Sequence, residues 1–257
     1  MISAPDSDIA TRPPGPVTAV CLDIDDTLLD NAASSRSGLA ALVGHDAAWP
    51  VWRRTTDEHY ARYLAGDVDF DTMLHERTRA FFAEFGELLT DAEVARREHH
   101  RMCAMQRAWR LFHDVAPCLE WLHASGYRLA AVTNAPGGYQ RKKMASVGLS
   151  GVFDAVIISG EVGVAKPDPA IFEIACAELG VPSHQVLHVG DRLDVDATAA
   201  VRAGLRGVWL DRSGVPAPRQ TDVPVIAGLD ELPEHLVCDY GVEHADPPRS
   251  AALASAR

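Results

Sequence analysis

Three apolar runs, LAAVT at 129–133, AVIIS at 155–159 and VLHVG at 186–190, constrain this chain more than any other feature. Each is apolar almost throughout rather than alternating, as a strand covered on both faces must be. From Asp114 onward the spacing predicts helix Asp114–Ala124, strand Arg128–Thr133, helix Gly137–Val147 and strand Ala155–Ser159. Helix Pro169–Leu179, strand Gln185–Val189, helix Val195–Ala203 and strand Gly207–Leu210 follow. Strands alternating with short helices build βαβ units, so the expected fold class is α/β, a Rossmann-like open parallel sheet.

One further apolar run, Val17 to Asp23, reads as a buried strand but stands far upstream of the others. Between Ser35 and His113 no strand pattern occurs. Amphipathic helical stretches fill the gap at Trp49–Leu64, Phe70–Phe85 and Asp91–Phe112, with Phe70, Met73, Leu74, Phe81, Phe82 and Phe85 mostly at helical spacing. Gly66 and Gly86 punctuate them, and Thr90 or Asp91 can cap the third, with Glu93 in its first turn. The expected organisation is an α/β core of residues 17–34 and 114–240, interrupted by an α-helical bundle at 35–113. Residues 1–16, polar and Pro-rich, read as a flexible leader, and 241–257 as a flexible tail.

Composition narrows the partners. A net charge of −12 supplies no broad basic surface, which argues against nucleic-acid polymers and anionic membranes. It leaves small phosphorylated ligands open, because a local cation can bind those. Five scattered cysteines, Cys21, Cys103, Cys118, Cys176 and Cys238, show no CxxC spacing and read as small core residues in a reducing compartment. No apolar stretch approaches the roughly 20 residues of a membrane span. The first residues lack the basic-then-apolar order of a signal peptide, so a cytoplasmic location is expected. Oligomeric state is left open.

In open parallel sheets ligands bind beyond the carboxyl ends of the strands, so the residues found there decide the chemistry. The first strand ends in three carboxylates within four positions, Asp23, Asp25 and Asp26. Crowded acids repel, and burial makes them costlier still unless a cation compensates. The second strand ends at Thr133-Asn134 before a helix start, where a hydroxyl, an amide and a helix N-terminus suit an anion. After the third strand, Asp168 and Pro169 make a helix cap and first turn, which leaves Lys166 without a local structural reason. The fourth strand ends at Gly190-Asp191, with Asp196 five residues on, and Gly190 is expected to allow a tight turn. Acids of this kind collect a hard cation such as Mg²⁺, which prefers oxygen ligands, and the other groups suit phosphate oxygens.

Four segments together, LDIDDTLLD (22–30), VTNA (132–135), VAKPDPAIF (164–172) and HVGDRLDVD (188–196), resemble the haloacid dehalogenase-like superfamily. The resemblance spans roughly 17–212 and is to the phosphatases with a helical cap after the first core strand. It implies Asp23 as nucleophile, Asp25 as general acid and base, and Mg²⁺ held by the Asp23 carboxylate, the Asp25 carbonyl and Asp191. It implies Thr133 and the Asn134 amide on the phosphoryl oxygens, Lys166 as their counter-charge, and Asp196 supporting the metal or Lys166. Asp26 is left to shape the turn. The implied activity is Mg²⁺-dependent hydrolysis of a small phosphorylated metabolite, such as a sugar phosphate, nucleotide or biosynthetic intermediate. A phosphosugar mutase shares every core residue; a dehalogenase, or a binding module without catalysis, fits the acids less well. The helical insertion would shape substrate choice, with Arg53, Arg54, Tyr60, Arg62, Tyr63 and Arg77 as candidate contacts. His99 and His100, adjacent on a helix, diverge and read as surface.

Overall fold

The computed structural model describes residues 15–45, 47–214 and 221–240. The leader and tail expected at 1–16 and 241–257 fall outside these, apart from Gly15 and Pro16. Six parallel strands form one sheet: β1 (Ala19–Leu22), β2 (Arg128–Thr133), β3 (Ala155–Ile158), β4 (Val186–Gly190), β5 (Arg206–Leu210) and β6 (Val225–Ile226). Four helices, α1 (Asn31–Val43), α2 (Trp49–Leu64), α3 (Phe70–Ala83) and α4 (Asp91–Arg107), lie between β1 and the rest of the core. The core then continues with α5 (Val115–Ala124), α6 (Gly137–Ser146), α7 (Ser159–Val162), α8 (Pro169–Leu179), α9 (Thr198–Arg202) and α10 (Leu232–Tyr240).

The two-residue period of each strand sorts its side chains between two cores. Val20, Leu22, Leu129, Ala131, Leu187 and Val189 face one, with Val115, Leu119 and Leu122 of α5 packed on them. Ala19, Cys21, Ala130, Val132 and Val186 face the other, against Ile171, Phe172, Ala175 and Leu179 of α8. Both faces are covered, which is why the runs carry no polar alternation. Each fully buried Leu of this kind contributes roughly 1.5–3 kcal/mol.

Strand order is β3-β2-β1-β4-β5-β6. β1 is central, with Leu22 level with Ala131 of β2 and Val189 of β4. The chain steps outward from β1 through β2 to β3, then returns to the other side of β1 for β4. That reversal opens a crevice beyond the carboxyl end of β1, the place where such sheets bind ligands.

The inserted helices have a core of their own, built on Leu39, Trp52, Phe81 and Phe82, with Phe81 edge-on to Trp52 at 5.0 Å. Thr90 caps α4 in a capping box with Glu93, as expected. Helix α1 is an addition: the sequence pattern names three helices in the insertion and starts it at Ser35, whereas NAASSRSGLAALV, with little amphipathic pattern, is helical from Asn31. Asp30 caps it by accepting from the Ala33 amide at 3.0 Å, and Gly38 lets it press onto α4, where a Cβ would lie 3.1 Å from Arg101. Helix α4 stops at Arg107 instead of Phe112. The next residues pair with the chain leaving β1: Asp30 N–H donates to Arg110, Phe112 N–H to Leu28, and Leu29 bridges Leu111. Entry to and exit from the insertion are thus laced together. Three smaller departures are the unforeseen β6 and α10, and a π-helical turn at Leu193–Ala197 where a regular helix was expected from Val195.

Candidate active site

Asp23 follows β1 directly, and its amide donates to the Val189 carbonyl at 3.0 Å, so the ladder carries it into the sheet's crevice. Its carboxylate accepts from Lys166 Nζ at 2.7 Å. The same ammonium donates to Asp196 Oδ1 at 2.6 Å and to the Val132 carbonyl at 2.9 Å. Lys166 is buried, and its three acceptors engage all three of its N–H donors. Two acids raise its pKa against the opposing effect of burial.

Asn134 fixes Lys166 from the neighbouring strand end. Its Nδ2 donates to the Lys166 carbonyl, and its Oδ1 accepts from the Lys166 amide, both at 2.8 Å. The expectation that the Asn134 side-chain amide faces an anion is therefore corrected: that group is spent on Lys166. Gly190 is corrected too. It stays in β4 without a positive φ, and its small size matters because a Cβ there would collide with the Asp196 carboxyl carbon.

Asp196 is almost wholly buried and has both oxygens engaged, Oδ1 by Lys166 and by His188 Nε2 at 3.2 Å, Oδ2 by the Arg192 amide at 3.1 Å. Burial opposes its ionisation, yet Lys166 and His188 hold it well below the usual carboxylate range. Asp23 and Asp191 go the other way. Desolvation pushes Asp23 up to about 7 despite Lys166, and desolvation with the Asp23 charge pushes Asp191 up to about 8. The carboxylate oxygens of Asp23, Asp191 and Asp196 lie within 4.8 Å of one another. The Asp191 backbone is bonded to Thr27 Oγ1 and Trp209 Nε1, but among the described residues no side chain donates to its carboxylate. Three acids share one ammonium, and the one left over carries only oxygen donors. That donor set fits a hard divalent cation.

Asp25 lines the same cleft and has partners of its own. Lys143 Nζ donates to its Oδ1 at 2.7 Å and Gln140 Nε2 to its Oδ2 at 3.3 Å; Gln140 also donates to Thr133 Oγ1 at 3.1 Å. Lys143 and Gln140 belong to α6 and were not singled out from sequence. Their spacing of three puts both on one face of the helix that follows Thr133-Asn134, which is the signal that was there to use. His188, a titratable ring inside an apolar strand, was a second such signal. Asp26 shapes the turn, as expected. Its φ of +61° is left-handed, and its Oδ1 accepts from the Ala32 amide at 2.7 Å, turning the chain into α1.

All seven predicted site residues, Asp23, Asp25, Thr133, Asn134, Lys166, Asp191 and Asp196, line one cleft of about 800 Å³. Its opposite wall comes from the inserted helices, with Tyr60, Phe70, Met73, Arg77, Arg101 and Met105 among the contributors. Of the six candidate contacts in that insertion, Arg53, Tyr60 and Arg77 reach the cleft. Tyr60 Oη donates to the Asn134 carbonyl at 2.7 Å, tying α2 to the end of β2. Arg54 and Arg62 lie on exposed helix faces paired with Glu84 and Glu76, while Tyr63 packs on Tyr60 and Phe70. His99 and His100 are exposed.

The model of the haloacid dehalogenase-like hydrolase family matches residues 17–204. The phosphoserine phosphatase of Thermus thermophilus is 30% identical over 223 residues, covering 74% of this chain and 87% of its own. Human N-acylneuraminate-9-phosphatase is 27% identical over 243 residues, covering 86% and 94%. Among solved structures, the magnesium-bound hydrolase YfnB of Bacillus subtilis superposes with a TM-score of 0.72 at 21% identity, over 86% of this chain and 99% of its own. The L-2-haloacid dehalogenase of Xanthobacter autotrophicus gives 0.68 at 23% identity, over 87% and 99%. These two share the fold. The cysteines are free and no described helix is long and apolar enough to cross a membrane. The family model covers most of the chain, and a relative of 30% identity spans 74% of it: the chain belongs to the haloacid dehalogenase-like hydrolase family, among relatives named as phosphatases.

Proposed function

We propose that the chain is a Mg²⁺-dependent phosphatase that hydrolyses a small phosphorylated metabolite through a phosphoryl group carried on Asp23. The observation that carries this is the Asp23 carboxylate, paired with Lys166 at 2.7 Å and set beside the unpartnered Asp191 carboxylate in the cleft floor. The Asp23 carboxylate, the Asp25 backbone carbonyl and Asp191 would hold the ion. Bound there, Mg²⁺ supplies positive charge for the equatorial oxygens of the phosphoryl group.

Asp23 attacks phosphorus, the bond from phosphorus to the ester oxygen breaks, and Asp25 gives that oxygen its proton. Asp25 then takes a proton from water as the water oxygen bonds to phosphorus, and the bond to Asp23 breaks to release inorganic phosphate. Thr133 Oγ1 and the Asn134 backbone N–H bind phosphoryl oxygens, and Lys166 balances their charge. Asp196 and the Asn134 side chain hold Lys166 in place; Lys143 and Gln140 hold Asp25. A positioned Asp25 supports phosphate-ester chemistry over carbon–halogen hydrolysis, which needs no proton for its leaving group. Residues 35–113 serve as the cap, closing the cleft over a small ester and keeping out bulky ones.

The test is phosphate release from p-nitrophenyl phosphate with Mg²⁺ and with EDTA. Release is expected with Mg²⁺ alone, and Asp23→Asn should fold normally with turnover down by about 10³-fold or more. Wild-type-like rates in Asp23→Asn would remove Asp23 as the nucleophile.

A further inference from the structure

The cleft has a second buried charge cluster, on the wall opposite Asp23. Glu98 of α4 accepts from Arg77 Nη2 of α3 at 2.9 Å and from Arg101 Nη2 of its own helix at 2.6 Å; Arg101 Nε donates to both its oxygens at 3.0 Å. Its Oε2 also accepts from Thr78 at 2.6 Å. Arg77, Glu98 and Arg101 are 5%, 4% and 2% exposed. Two guanidinium groups face one carboxylate, leaving one positive charge uncompensated away from water, which is costly unless something completes it.

Both arginines line the same cleft as Asp23, Thr133 and Lys166. The Arg77 Nε is buried with no hydrogen-bond partner. A salt bridge that served only to join α3 to α4 would need one arginine, and it would not leave a donor unmatched. Both guanidinium carbons lie over the Trp52 ring, at 4.5 Å for Arg77 and 5.2 Å for Arg101 from its centroid. Phe70, Met73 and Met105 add apolar surface to the same lining.

We propose that Arg77 and Arg101 form an anion subsite for the leaving-group end of the substrate, so that the preferred ester carries a second anionic group. That group is a carboxylate or a second phosphate, and the inference rests on the phosphatase reading. The phosphoryl group sits on the floor with Asp23 and Lys166, the substrate's second anion sits against Arg77 and Arg101, and the arm between them spans the cleft.

The test compares matched esters: 3-phosphoglycerate with glycerol 3-phosphate, and fructose 1,6-bisphosphate with fructose 1-phosphate, using p-nitrophenyl phosphate as reference. A charge-assisted contact of this kind should give the more anionic member of at least one pair a kcat/KM about tenfold higher or more. The pair that responds tells carboxylate from phosphate. In Arg77→Gln and Arg101→Gln that ratio should collapse toward one, mainly through KM, and Arg77→Lys should recover part of it. Equal kcat/KM within both wild-type pairs overturns the subsite without any variant, as does a ratio that survives both substitutions. Absence of hydrolysis of every ester, p-nitrophenyl phosphate included, would instead overturn the phosphatase reading on which the subsite rests.

Discussion

The floor and the far wall of the cleft are both buried charge clusters, and they are built with opposite imbalances. At the floor, Asp23, Asp191 and Asp196 share the single ammonium of Lys166. On the wall, Arg77 and Arg101 share the single carboxylate of Glu98. At the floor desolvation raises Asp191 to about 8 and Asp23 to about 7, while Lys166 and His188 hold Asp196 low. On the wall, burial lowers Arg77 to about 10, and Glu98 is drawn down to about 2 by its two arginines against the effect of burial. Burial alone would disfavour both clusters; only a ligand that brings a cation to one and an anion to the other balances both. A cavity with that polarity orients a charged substrate before any contact is made.

Breaking the floor should have the largest effect. Lys166→Met leaves Asp23 and Asp196 without their shared cation, and turnover should fall by about 10³-fold, with the protein without metal melting at lower temperature. Steady-state rates within tenfold of wild type would show that Lys166 does not balance the phosphoryl charge. Asp191→Asn comes next. It relieves the crowding, so the melting temperature without metal should rise, while Mg²⁺, which should raise that of the wild type, should no longer do so. A preserved Mg²⁺ response in thermal melts would take Asp191 out of the ion site.

The two clusters also predict pH dependences of opposite sign. Asp23 and Asp191 titrate above the ordinary 3.8 when folded, so their contribution to stability is in place below that pH and is lost as pH rises through about 7 and 8. Glu98 titrates at about 2, below the ordinary 4.5, so its contribution is in place above 4.5 and is lost as pH falls toward 2. Melting temperatures measured in EDTA across pH should show both limbs, with Asp191→Asn flattening the alkaline one and Glu98→Gln the acid one. An alkaline limb unchanged by Asp191→Asn would mean that the floor is not its source. The smallest expected effect concerns the link between the regions. Tyr60→Phe removes the hydroxyl on the Asn134 carbonyl and should cost about 0.5–1.5 kcal/mol, read as a modest rise in KM and a small drop in melting temperature. No change in either would show that the insertion seats on the core without this contact.

The floor was legible in the sequence because Asp23 and Asp191 end continuously apolar runs and Asp196 follows Asp191 by five residues. Once the runs are strands of one parallel sheet, their ends must meet, and Asp23, Thr133, Lys166, Asp191 and Asp196 meet with them. The sequence also named Arg77, but without a reason to prefer it over Arg54 or Arg62. A helix face says only which way a residue points relative to its own axis. Which of three similar arginines turns inward depends on how α2, α3 and α4 cross, and that is set by packing around Trp52 and Phe81.

Local pattern by itself determined the parallel sheet, the interruption after β1, the α2 and α8 boundaries and the identity of the acids. Hydrophobic period and strand-end chemistry are short-range properties, and they survive without the fold. Tertiary structure alone decided the rest. It spent the Asn134 side chain on Lys166, gave Asp25 the partners Lys143 and Gln140, required Gly190 to be small for the sake of Asp196, and made a helix of the weakly patterned segment at Asn31–Val43. Most of these depend on a distance between residues far apart in the chain, and Gly190 on the fold of the turn after β4; such distances are fixed only when the core closes.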